Sequence, residues 1–122
     1  MSAPEYEDLW AAAPDPRRDR AAAAFITSLV SMTTGVPMRE IAGPTRARAQ
    51  AARARQMAMY LAHVGYAWPM ARVATAFGRD RTTASHAVHR IEDLRDDAAF
   101  DAQISAMEAC LREAPQPWAM AA

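Results

Sequence analysis

The chain contains no lysine; all 14 of its basic residues are arginine. A phosphate loop needs a lysine to reach the β- and γ-phosphates, and none of Gly35, Gly43, Gly65 or Gly78 opens such a loop, so nucleotide hydrolysis of that type is excluded. Schiff-base and lysine-base chemistry are excluded for the same reason. Cysteine is nearly absent. Cys110 stands alone, which rules out an intrachain disulfide and leaves no second thiolate for a metal cage. No run approaches eighteen apolar residues, and the N-terminus carries acids where a secretory leader carries basic residues, so the expected location is the cytoplasm.

What remains is ordinary in amount and unusual in arrangement. The 122 residues suit one domain, and the 52% hydrophobic share is rich in alanine, which favours helix without filling much volume, so the expected fold is all-α. The formal net charge is zero, but it is unevenly spread. Residues 1–38 hold three arginines against five acids (net −2), residues 39–90 nine against two (net +7), and residues 91–122 two against seven (net −5). A basic centre between acidic ends presents a polyanion with a local field that the pI of 6.8 conceals.

Three prolines and no sustained period mark residues 1–19 as a tail, and residues 114–122 as a shorter one. Between them six helices are expected. Ala22, Phe25, Ile26, Leu29 and Val30 recur at helical spacing, giving a helix over 20–33 that stops at Gly35. "PMREIA" follows as one short turn. Thr45 caps a long helix over 46–64, basic in its first half and with Met57, Leu61 and Val64 on a core stripe beside Ala54 and Ala58. "PMARVATAF" ends at Gly78; Asp80 caps a helix over 81–94 that buries Ala84, Ala87, Val88, Ile91 and Leu94. A last helix over 97–113 buries Phe100, Ile104, Met107 and Leu111, with Cys110 as a small packing residue.

Two short helices joined by a glycine turn form a helix-turn-helix, whose second member lies in a major groove. On that reading Asp80 accepts from cytosine, Arg81 donates twice to guanine, and the methyls of Thr82 and Thr83 touch thymine. Arg46, Arg48, Arg53, Arg55 and Arg79 fall in the basic segment, where phosphates attract them. His86 and His89 are three residues apart, but no carboxylate sits at a convincing ligand position beside them, His63 or Cys110, so neither a metal nor another cofactor is expected and His86 reads as a helix histidine. No serine, histidine and acid arrangement for catalysis is recognisable.

"RARQMAMYLAHV" followed by "FGRDRTTASHAVHRIEDL" resembles the C-terminal DNA-binding domain of the bacterial chromosomal replication initiator DnaA. The likeness runs from about residue 20 to 113. It implies a six-helix fold of the Trp-repressor-like helix-turn-helix kind, Arg46 or Arg48 reaching into the minor groove, Arg55 near phosphate, and Asp80, Thr82 and Thr83 reading bases. The chain has a single Gly78 where the family has paired glycines, and Arg81 where the family has histidine, so the turn is shorter and the base preference altered.

Two functions are weighed from these features. One is a DNA-binding regulator of replication initiation or transcription, monomeric because no coiled-coil seam is present and without ATPase or other enzymatic activity. The other is an adaptor that binds the replication initiator or another replication protein through "YEDLW", where Tyr6, Leu9 and Trp10 alternate with acids.

Overall fold

The computed structural model describes residues 15–43 and 48–114, and every regular element among them is a helix. We number these α1 (Pro16–Thr34), α2 (Met38–Ile41), α3 (Ala49–Gly65), α4 (Met70–Phe77), α5 (Arg81–Leu94) and α6 (Ala98–Glu113). None is long and apolar enough to cross a membrane.

The first helix starts four residues earlier than the 20–33 expected from periodicity. Asp15 caps it, accepting from the amides of Arg17 and Arg18 at 3.1 and 3.3 Å, and Pro16 occupies the first turn, where its missing N–H costs nothing. Arg17 to Asp19 therefore belong to α1 rather than to a tail, and Asp19 is buried, its carboxylate held by Arg72 of α4. At the far end Gly35 adopts φ +79° and returns its N–H to Ser31, closing the helix.

α3 is the central post and packs on α1, α4, α5 and α6. Its buried face is mostly small: Ala51, Ala54, Ala58 and Ala62 let neighbouring helices approach closely, while Met57, Met59 and Leu61 fill the gaps between them. Ile26 and Val30 of α1, Val73 of α4, Val88 and Ile91 of α5, and Ile104 and Met107 of α6 complete one continuous core. Phe25, Leu29, Met70, Phe77, Leu94 and Phe100 are partly buried at its margin.

Three expectations are corrected. α3 begins at Ala49 rather than 46, with Arg48 in the cap position; Thr45, the expected cap, lies outside the described residues. Val64 is 44% exposed, because it sits in the last turn at the edge of a buried face centred on Ala58. Cys110 is also exposed, since the inward stripe of α6 runs through Ile104, Met107 and Leu111 and leaves Cys110 on its flank.

The turn between α4 and α5 consists of Gly78 and Arg79, followed at once by the cap residue Asp80. Gly78 takes φ +66°, its N–H bonds Thr75 at 3.2 Å, and the next N–H, of Arg79, bonds Ala74 at 2.9 Å. This pair of bonds is a Schellman closure, which needs one left-handed residue only. A single glycine is therefore sufficient, and α5 spans Arg81–Leu94 with Asp80 as its cap, as the sequence implies.

Candidate nucleic-acid interface

The leading end of α5 projects from the fold. Arg81, Thr82 and Thr83 are all exposed, whereas Ala84, Ala87, Val88 and Ile91 are buried against α3 and α4. That split follows from sequence, because four apolar residues at helical spacing must face the core and so turn the polar residues before them outward. Asp80 folds its carboxylate back onto the helix, accepting from the Thr83 amide at 2.7 Å. Hydrogen bonds from Thr83, main chain first, hold this carboxyl below the usual range, with the Thr82 amide and the nearby His86 acting in the same direction. Asp80 is thus the helix cap, and the hydrogen-bonding capacity it devotes to Thr83 is not directed at a base.

α3 flanks this end. Ala52, Gln56 and Met59 of α3, with Thr83, His86 and Ala87 of α5, line a hollow of about 300 Å³ together with Arg55 and Arg79. Arg53 donates to Gln56 at 3.2 Å. Arg48, at the start of α3, is exposed and ion-paired with Glu40 of α2. Thr83 and His86 of α5 thus face Ala52, Gln56 and Met59 of α3, while Arg48 and Arg53 line a second hollow with Gly35, Val36, Phe100 and Gln103.

Two of the expected phosphate-binding arginines point inward. Arg55 is 7% exposed and donates to three main-chain carbonyls: Ile41 at 2.8 Å, Glu40 at 3.2 Å and Gly43 at 3.2 Å. These carbonyls belong to the last turn of α2 and the residues just after it, where helix acceptors lack a full set of main-chain donors, and one guanidinium bridges all three. Burial, then repulsion from Arg79, lowers the Arg55 pKa. Arg79 donates to the same Gly43 carbonyl at 2.6 Å. These bonds leave Arg55 buried and Arg79 partly exposed. Arg46 lies outside the described residues, as do Tyr6, Leu9 and Trp10.

His86 is exposed one turn beyond Thr82 and Thr83 on the same stripe of α5, with Arg90 exposed one turn further on. Continuing the outward period of Thr82 and Thr83 by three or four residues reaches His86, and a further step of four reaches Arg90. No group of three or more histidine, cysteine, aspartate or glutamate side chains among the described residues is arranged to hold a metal ion.

Comparison with known proteins agrees with this architecture. Residues 23–91 match the family model described as the bacterial dnaA protein helix-turn-helix. The chromosomal replication initiator protein DnaA of Ruegeria sp. (strain TM1040) is 40% identical over 77 residues, a stretch that is 62% of this chain and 16% of that protein. A crystal structure of a DNA replication initiation factor superposes with a TM-score of 0.68 at 26% identity, covering 78% of this chain and 29% of the other. The replication initiator DnaA bound to AMPPCP and single-stranded DNA superposes with a TM-score of 0.67 at 24% identity, covering 80% of this chain and 30% of the other, a likeness of fold. The chain thus spans less than a third of the length of each of these relatives.

Proposed function

Because the chain belongs to the bacterial DnaA helix-turn-helix family, we propose that it binds double-stranded DNA at preferred sequences and acts as a regulator of replication initiation or of transcription. The observation that carries this reading is the outward projection of Arg81, Thr82 and Thr83 from the first turn of α5. A major groove admits a helix led by its N-terminus, and there Arg81 donates two hydrogen bonds to the N7 and O6 of guanine while the threonine methyls pack on thymine. The positive end of the α5 dipole favours phosphates flanking that groove.

Arg48 and Arg53 supply the sequence-independent attraction, with Arg48 exchanging Glu40 for a phosphate or the minor groove. In this proposal Asp80 fixes the start of the recognition helix and Arg55 holds the end of α2. His86 and Arg90 extend the contact along α5. These 122 residues have no lysine with which to hold nucleotide phosphates, so the reading gives them DNA binding without ATP hydrolysis. In this reading the chain works as a cytoplasmic monomer.

The test is a binding titration on a duplex bearing an initiator-binding site from a bacterial replication origin, against a scrambled duplex of equal length and composition, at several salt concentrations. Affinity should fall linearly with log salt on both, and the native site should be preferred by the wild type and not by Thr82→Ala. Equal affinity for the two duplexes would remove sequence preference from the reading. Salt-independent or absent binding would remove DNA altogether.

A further inference from the structure

Two guanidinium groups converge on one carbonyl oxygen. Gly43 O accepts from Arg55 Nη2 at 3.2 Å and from Arg79 Nη2 at 2.6 Å, across 12 and 36 residues of sequence. The carbonyl lies at the end of the turn after α2, and Glu40 of the same corner pairs with Arg48. Arg79 is the last residue of the helix-turn-helix turn before the Asp80 cap, four residues from Thr83. The junction therefore joins the two segments that the DNA-binding reading places on different parts of a site.

The arrangement is poorly explained as simple stabilisation. Arg79 Nε is buried and has no hydrogen-bond partner among the described residues, and leaving a buried donor unpaired is costly. Two like charges also sit close enough for each to disfavour the other, and burial adds to that cost. An apolar side chain in place of Arg79 would avoid both penalties. The main chain at Gly43 is, moreover, shaped for the contact: a Cβ there would come within 2.9 Å of the Arg39 carbonyl, so the tight turn that aims the Gly43 oxygen inward admits glycine alone without movement. Glu40 reinforces the same corner, its side chain holding Arg48 and its carbonyl holding Arg55.

We propose that Arg79 is a positioning residue which, through the Gly43 carbonyl it shares with Arg55, locks the corner at the end of α2, where Glu40 holds Arg48, to the leading end of α5, so that Arg48 and α5 meet DNA at a fixed separation. This rests on the DNA-binding reading above for its consequence, but the coupling itself is a property of the free protein. A pre-set separation between two contacting segments raises affinity for a site whose features have the matching spacing, because less ordering is left to be done on binding. It adds nothing to binding on an unmatched duplex. Arg79 thereby contributes to sequence discrimination without touching a base.

The experiment uses the full chain carrying Arg79→Lys or Arg79→Ala. The lysine variant keeps the charge and so any phosphate contact, but loses the planar fork that reaches Gly43. In the free protein, ¹⁵N relaxation should show the amides of Gly43 and Arg48 and those of Arg81 to Thr83 becoming mobile together in both variants. On DNA, both variants should lose roughly tenfold in affinity for the origin-site duplex, about the loss of one hydrogen bond to a charged group, with scrambled-duplex affinity and salt slope unchanged. A salt slope reduced by about one in Arg79→Ala, with both duplexes weakened alike and Arg79→Lys normal, would make Arg79 a phosphate contact and overturn the proposal. Unchanged mobility at Gly43 and Arg48 would overturn it too. If the wild type binds neither duplex, the functional reading fails while the relaxation measurement still decides whether the junction couples the two segments.

Discussion

Arg72 of α4 grips Asp19 of α1 through two parallel hydrogen bonds, Nε to Oδ2 at 2.9 Å and Nη2 to Oδ1 at 2.8 Å, while its guanidinium lies 4.4 Å from the centre of the Trp68 ring. The two side chains are only 7% and 12% exposed, so this pair ties the first helix to the helix-turn-helix from inside the protein. Removing one member leaves the other charge buried without its counterion. Asp19→Ala should therefore destabilise the fold by about 3 kcal/mol or more, whereas adding Arg72→Met should recover much of the loss, because a buried pair is costly to break and cheap to replace as a whole. Urea unfolding of the single and double variants measures both.

Gly78 stands at φ +66° with open space where a Cβ would go. The penalty for Gly78→Ala is then conformational alone, roughly 1–2 kcal/mol for a left-handed L-residue. Gly78→Asn should cost less, since asparagine tolerates that region. Thermal unfolding of the two variants gives the order. Equal stability of all three proteins would show that the turn does not hold its left-handed residue.

Tyr66, just past α3 and packed 5.5 Å from Trp68 between ring centres, has its phenol pushed up to about 12 by burial. The unfolded chain releases that proton near pH 10. The folded state therefore keeps its full stability below pH 10 and loses it as the pH rises from about 10 towards 12, because only the unfolded chain ionises readily in that window. Melting temperatures at pH 9 and pH 11 should differ less in Tyr66→Phe than in the wild type.

Asp80→Asn separates capping from charge. Asparagine caps as well as aspartate, so the helicity of α5 should be preserved. Loss of the negative charge beside the DNA-facing end should tighten binding to a scrambled duplex at low salt, and the difference should vanish as salt rises. Weaker binding would mean that the carboxylate contacts the DNA favourably after all.

α5 was legible to the residue because its signals are local: an aspartate cap, two threonines, then apolar residues at 84, 87, 88 and 91. α1 was legible in its body and not in its start. Asp19 looks from sequence like a residue before a helix, and what makes it a buried helical residue is Arg72, 53 positions away. Arg55 shows the same limit within the site. An arginine that satisfies the carbonyls ending α2 and an arginine that waits for phosphate have the same neighbours in sequence, and only the packing of α2 on α3 tells them apart. The doubled role of Gly43, as a tight turn and a shared acceptor, likewise has no counterpart in any local pattern.

The central claim is that the first turn of α5 is the surface that meets DNA. Its most direct test is amide chemical-shift mapping of the ¹⁵N-labelled chain titrated with the origin-site duplex. The account expects the largest shifts at Arg81 to His86 and at Arg48 to Arg53, with the acidic stretch from Glu92 to Glu113 unmoved. Shifts confined to α1 and α6, with Arg81, Thr82 and Thr83 unperturbed at saturation, would contradict it.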